Sequence, residues 1–239
     1  MLYSYQKDCQ QILADLKQQI VNPGILTSFI NKARGQIAAE GQCVRVMGTL
    51  ITLGNVQTYP FSNITVSSVS GVSSVLNVRM ISASNGSGGQ SFLNFWPWEW
   101  FNRYFLCATT IPVGTPIQWT QYAQGQLGSL YLNPIPMSNT TLSLDTACLP
   151  IALVDDTTVE AIPYPWTDAV PFYALYFSYM STQRQEEAAF MYQRYQEFAA
   201  RARMFSTPGV LPYQHPQYPT PPSPVPPPAQ PQAAFTGRQ

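Results

Sequence analysis

Apolar residues in "QKDCQQILADLKQQI" fall at Ile12, Leu13, Leu16 and Ile20, the spacing of one helix face. "VNPG" interrupts, and Pro23 suits the first turn of a second helix. In "ILTSFINKARGQIAAEG" the positions Leu26, Phe29, Ile30, Ala33 and Ile37 share one side. Gly41 is expected to stop this helix in a conformation that a Cβ disfavours. A helical hairpin results, and Gly35 within it costs about 1 kcal/mol against alanine, so packing must hold the second helix. Helical rhythm returns near the C-terminus. Thr167 reads as a cap, with Asp168 favourable at the positive end of the dipole. Residues 168–180 are almost all apolar, which predicts burial on several sides. In the next helix Ala188, Met191, Tyr192, Tyr195, Phe198, Ala199 and Ala202 make one face. Arg184, Glu187, Arg194, Glu197 and Arg201 occupy the wet remainder, and Glu197 can pair with Arg194 and Arg201 at helix spacings.

Between these helical regions the period shortens. "CVRVMGTLITL", "FSNITVSSVSGVSSVLNVRMIS", "TPIQWTQYAQ", "GSLYLNPIP" and "TTLSLDTACLP" are β-prone runs bounded by Gly, Pro or Asn. They predict an antiparallel domain of six to eight strands over about 43–150. Within it, "FLNFWPWEWFNRYFLC" carries Trp96, Trp98 and Trp100, three of the five tryptophans. Fully exposed, it would be a large apolar patch. It either plugs the β domain or anchors another subunit.

The predicted fold class is therefore α+β. N- and C-terminal helices form a helical bundle around a central inserted antiparallel β domain, and an extended proline-rich tail follows. The boundaries are 1–41 for the first helices, 42–162 for the insertion, 163–206 for the closing helices and 207–239 for the tail. In the tail, ten of the twenty-one residues 212–232 are proline. Proline fixes φ and removes a donor, so this stretch is a polyproline-like string spanning roughly 65 Å at about 3.1 Å per residue. Tyr213, Tyr218 and Val225 are its candidate anchors.

Charge changes the picture. Lys, Arg, Asp and Glu make up only 10% of the 239 residues and balance to zero, while 45% are hydrophobic. Ordinary globular chains carry roughly 25% charged residues, so an uncharged polar surface suits obligate assembly. Twelve basic residues spread along the chain give no patch for sequence-specific nucleic-acid binding. No apolar run reaches membrane-spanning length, and "MLYSYQKDCQQ" lacks the basic start and apolar run of a signal peptide. The four cysteines (Cys9, Cys43, Cys107 and Cys148) lie far apart, as expected of free buried thiols.

Candidate chemistry is sparse. The single histidine, His215, sits in the proline-rich tail, which leaves no His-based triad or metal cluster. Asp155 and Asp156 in "LVDDTT" read as a turn. "NGSGG" lacks the strand, helix and Lys-Ser/Thr context of a phosphate loop and reads as a surface loop. No enzyme activity and no cofactor are expected. A carbohydrate-binding module would need an exposed groove of Trp96, Trp98 or Trp100 with nearby carboxylates.

Two segments resemble the head-to-tail connector, or adaptor, proteins of short-tailed bacteriophages. The first is "GILTSFINKARGQIAAEG", with Phe29, Ile30, Asn31, Ala33 and Arg34. The second runs from "PIQWTQYAQGQLGSLYLNPIPMSNTTLSLDTACLPIAL" through "IPYPWTDAVPFYALYFSYMSTQRQEEAAFMYQRYQEFAARAR". Its landmarks are Tyr131, Pro134, Pro136, Asp145, Leu149, Pro150, Pro163 and the helix start at Asp168, Ala169 and Val170. Tyr173, Ala174 and Tyr176 follow. The resemblance implies a non-enzymatic virion protein at the head–tail junction, made in the host cytoplasm, with about twelve copies closing a ring below the portal. Helices would build the ring wall and touch the portal protein, and the β insertion would meet tail nozzle or fibre proteins. DNA would pass through the channel without specific binding. A nozzle or fibre-docking protein of the same particle would share the composition without the helix–β–helix order. The candidate partner surfaces are Arg184, Glu187, Arg194, Glu197 and Arg201; Trp96, Trp98 and Trp100; and Tyr213, Tyr218 and Val225.

Overall fold

A computed structural model describes residues 1–13, 22–66, 71–84, 89–107 and 111–206. Leu16, Ile20, residues 85–88 of the glycine loop, and the tail with Tyr213, Tyr218 and Val225 lie outside the described residues.

Helix α1, Leu2–Leu13, turns Leu2, Tyr5, Cys9 and Leu13 inward. The buried stripe thus starts earlier than expected, and Ile12 is exposed. Steps of three and four from Leu2 lead to Leu13, which leaves Ile12 about 100° round the helix. Helix α2, Pro23–Gly41, opens as its sequence predicts: Pro23 occupies the first turn, and the Asn22 side chain accepts from the Gly24 amide at 2.8 Å. Leu26, Ile30, Ala33 and Ile37 are buried along it. Its end differs. Gly41 is the last helical residue, and Gln42 takes the left-handed conformation with φ 46°. Gly41 is needed for proximity, since a Cβ there would lie 2.9 Å from the Cβ of Ala202.

Eleven strands follow among the described residues: β1 Arg45–Ile51, β2 Thr58–Pro60, β3 Thr65–Val66, β4 Val72–Ser84, β5 Gln90–Phe92, β6 Asn94–Phe95, β7 Val113–Gly114, β8 Gln118–Tyr122, β9 Ser129–Asn133, β10 Ile135–Pro136 and β11 Thr141–Pro150. A five-stranded sheet has the order β3-β1-β11-β4-β5, antiparallel throughout. A four-stranded sheet has the order β2-β9-β8-β6, and β7 pairs with β10. The main pairings are antiparallel as expected, but two short ones, β6 with β8 and β7 with β10, run parallel. A parallel pair requires a long crossover. The aromatic stretch supplies the one between β6 and β8, as it coils into helix α3 (Trp98–Phe101) and a π-helical turn (Asn102–Leu106). The longest pairing, β4 with β11, carries three register shifts, as β-bulges produce. Strand β1 alternates strictly: Val46, Gly48 and Leu50 face in, whereas Arg45, Met47, Thr49 and Ile51 face out.

After β11 the chain returns to helix through Trp166–Asp168, a single 3₁₀ turn. Helix α4 is Ala169–Ser181 and helix α5 is Gln185–Ser206. Asp168, not Thr167, occupies the N-cap position of α4, without a side-chain capping hydrogen bond; the Thr167 hydroxyl donates to Asp168 at 3.4 Å, and the 3₁₀ turn leads directly into the helix. Apolar α4 is enclosed as predicted, packing against α1, α2 and α5, while α2 also packs on β11. One continuous hydrophobic cluster joins these helices to the sheets, from Leu2 and Ile30 through Ile81 and Leu144 to Tyr195 and Ala202. All four cysteines are free thiols. Cys107 is exposed, contrary to expectation, because it closes the π-helical turn with its amide bonded to the Asn102 carbonyl.

Candidate functional site

Two surfaces and one buried knot carry the chain's distinctive side chains. The knot lies where the segment leaving β11 crosses α2. Asn31 mimics a strand edge there: its amide donates to the Leu153 carbonyl at 3.0 Å, and its oxygen accepts from the Leu153 amide at 2.8 Å. One turn on, Arg34 is fully buried. Its guanidinium meets Glu160 as a two-pronged fork, at 2.9 and 2.8 Å, and donates to the Ile151 carbonyl at 2.6 Å and to Asn31 at 3.2 Å. Glu160 also accepts from the Tyr5 hydroxyl at 3.0 Å and from the Ile162 amide at 2.9 Å. Burial, followed by the Glu160 charge, raises the pKa of the Tyr5 hydroxyl. Every polar group of the knot has partners, the condition under which a buried ion pair is tolerated. The aspartates beyond β11 form a turn, as predicted: Asp155 accepts from the amides and hydroxyls of Thr157 and Thr158. Asp156 accepts from the Tyr3 amide at the start of α1.

The first surface is the outer side of α5. Arg184 pairs with Glu187, and Arg194 pairs with Glu197 at 3.3 Å. Hydrogen bonds from Arg184 hold the Glu187 carboxyl below its usual range. The expected Glu197–Arg201 pair does not form; the Arg201 guanidinium lies over the Phe198 ring, 5.9 Å from its centre. Arg203 ties α5 to α2 through Glu40 at 3.0 Å. Ala188, Met191, Tyr195, Ala199 and Ala202 are buried as the pattern indicates, with Phe198 half-buried, whereas Tyr192 stays exposed. Its ring sits at the edge of a tyrosine cluster with Tyr173, Tyr176 and Tyr195.

The aromatic segment forms the second surface, and it is part core and part exposed. Leu93 and Phe101 are buried, while Phe92, Phe95, Trp100 and Tyr104 are exposed. The three tryptophans do not form one row. Trp98 packs against Tyr122 and Tyr131 of β8 and β9, at ring separations of 4.7 and 4.9 Å. Trp96 and Trp100 instead line a recess of about 320 Å³ with Tyr104 and Phe105. Trp100 and Tyr104 stack 5.6 Å apart with their planes 5° from parallel. Trp96 meets Phe105 edge to face at 5.4 Å. Sequence reasoning missed Tyr104, although it stands four residues after Trp100 and thus one helical turn away. It also missed Glu160, whose partner is 126 residues distant and leaves no local signal.

Among the described residues, no three His, Cys, Asp or Glu side chains gather as metal ligands, and no helix is long and apolar enough to cross a membrane. Residues 6–212 match the SU10 adaptor protein family, and the chain belongs to that family. The match is consistent with a phage head-to-tail adaptor, and the family is a structural one. No curated protein matches the chain in sequence.

Proposed function

We propose that this chain is the head-to-tail adaptor of a phage virion: a ring of about twelve copies below the portal that joins capsid to tail and leaves a channel for DNA. The observation that carries this reading is the family match across residues 6–212. The near-neutral surface supports it, since an uncharged channel wall lets DNA slide without sticking. In this reading the N- and C-terminal helices, 1–41 and 163–206, act together as a bundle in the ring wall and touch the portal. The β region, 42–162, is an insertion that meets nozzle or fibre proteins. The Arg/Glu side of α5 contacts the next subunit. Assembly takes place in the host cytoplasm, and the protein then resides at the head–tail junction. The test is native mass spectrometry with negative-stain imaging of purified full-length protein, alone and with portal. Closed rings that cap the portal are expected; a monomer that persists through micromolar concentrations and ignores portal would sink the reading.

A further inference from the structure

The recess between Trp96, Trp100, Tyr104 and Phe105 is lined by aromatic rings and half open to solvent: Trp100 is 52% and Tyr104 53% exposed. Among the described residues, the indole N–H groups of Trp96 and Trp100 have no hydrogen-bond partner. The wall is built on a π-helical turn, a geometry rare in proteins and frequent at functional sites. An open recess walled by one stacked and one edge-to-face aromatic pair, with free indole donors, suits a polyproline helix. Proline rings slot against aromatic faces, and the unpaired carbonyls of that helix accept from indole N–H groups.

The chain itself contains such a ligand. A polyproline helix repeats every three residues. Pro216, Pro219, Pro222, Val225, Pro228 and Pro231 recur at that interval and would form one unbroken apolar face. Pro221, Pro224 and Pro227 would form a second edge. The stretch 212–232 contains no Lys, Arg, Asp or Glu, which suits an uncharged aromatic wall. Pro216 lies ten positions after Ser206, so an extended chain reaches about 30 Å before the face begins. We propose that the recess binds the polyproline face of residues 216–231 from a second copy of this chain, so that each copy gives one strap and receives one. Such a contact is heterologous and repeats around a closed ring, and high local concentration within an assembly strengthens it. It rests on the adaptor reading only for the presence of neighbouring copies.

The test uses full-length protein carrying Tyr104→p-benzoylphenylalanine, mixed from light- and heavy-nitrogen-labelled preparations. Assembly is measured by native mass spectrometry on the same sample before irradiation. Expected are cross-linked peptides that join position 104 of one label to residues 212–232 of the other. The triple variant Pro219→Ala, Pro222→Ala and Pro228→Ala should lower their yield about tenfold, as for loss of a hot spot. The control triple Pro221→Ala, Pro224→Ala and Pro227→Ala removes as many prolines from the other edge and should leave the yield within about twofold. Intact assembly with cross-links only within one label, only to another segment, or absent would overturn the strap and leave the adaptor reading standing. Equal losses from the two triples would also overturn it. Absence of assembly would count against the adaptor reading itself.

Discussion

Arg34 and Glu160 are more than 90% buried at the side chain, and their fork ties the segment that leaves β11 to α2. Removing one partner strands a buried charge, which typically costs about 3–5 kcal/mol. Arg34→Met should therefore lower unfolding stability by that amount in urea titration, and adding Glu160→Met should recover much of the loss. If the single variant shifts stability by less than about 1 kcal/mol, water reaches the pair and its closure is wrong. Thiol reactivity reports on the same core from another side. Burial pushes the Cys9 thiol up to about 12 and Cys43 up to about 11, and it also raises Cys148. Near neutral pH only exposed Cys107 should react promptly with a thiol reagent, and the other three only after unfolding. Mass spectrometry of labelled peptides distinguishes these cases.

The meeting of α2 with α5 is set by two small residues. Gly41 faces Ala202 so closely that any larger side chain must push the helices apart. Gly41→Val should destabilise by about 1–3 kcal/mol through overpacking, measured as a drop in Tm. Gly35→Val is the matched control, because a Cβ at Gly35 meets nothing within 4 Å. An equal loss at both sites would trace the effect to helix propensity instead of packing. The elements differ in how plainly their sequences announce them. The β-prone run of β1 and the apolar stripe of α5 are each set by local composition and spacing, so both are legible in the sequence. The β6–β8 parallel pair was not, since parallel pairing depends on a crossover that no short window contains.

At the scale of the assembled molecule, the exposed α5 pairs are too wet to contribute much to the fold of one chain. In the proposed ring their use would lie between chains. Glu197→Arg and Arg201→Glu, made separately, should each weaken ring assembly while leaving monomer melting within about 0.5 kcal/mol of wild type. Sedimentation velocity against concentration reads the first effect and thermal unfolding the second; unchanged assembly in both variants would make this an ordinary solvated face.

The sequence by itself determined the α+β class, the helices from their period and breakers, and the shortage of charge that points to assembly. These follow from local spacing and composition, which a single chain carries openly. Its motifs also led to Asn31 and Arg34. Only the tertiary structure decided what those two residues do, because their partners at Leu153 and Glu160 are more than a hundred residues away. It likewise separated Trp98 from Trp96 and Trp100: direction around a helical turn, not density of rings, determines which aromatics meet in one recess.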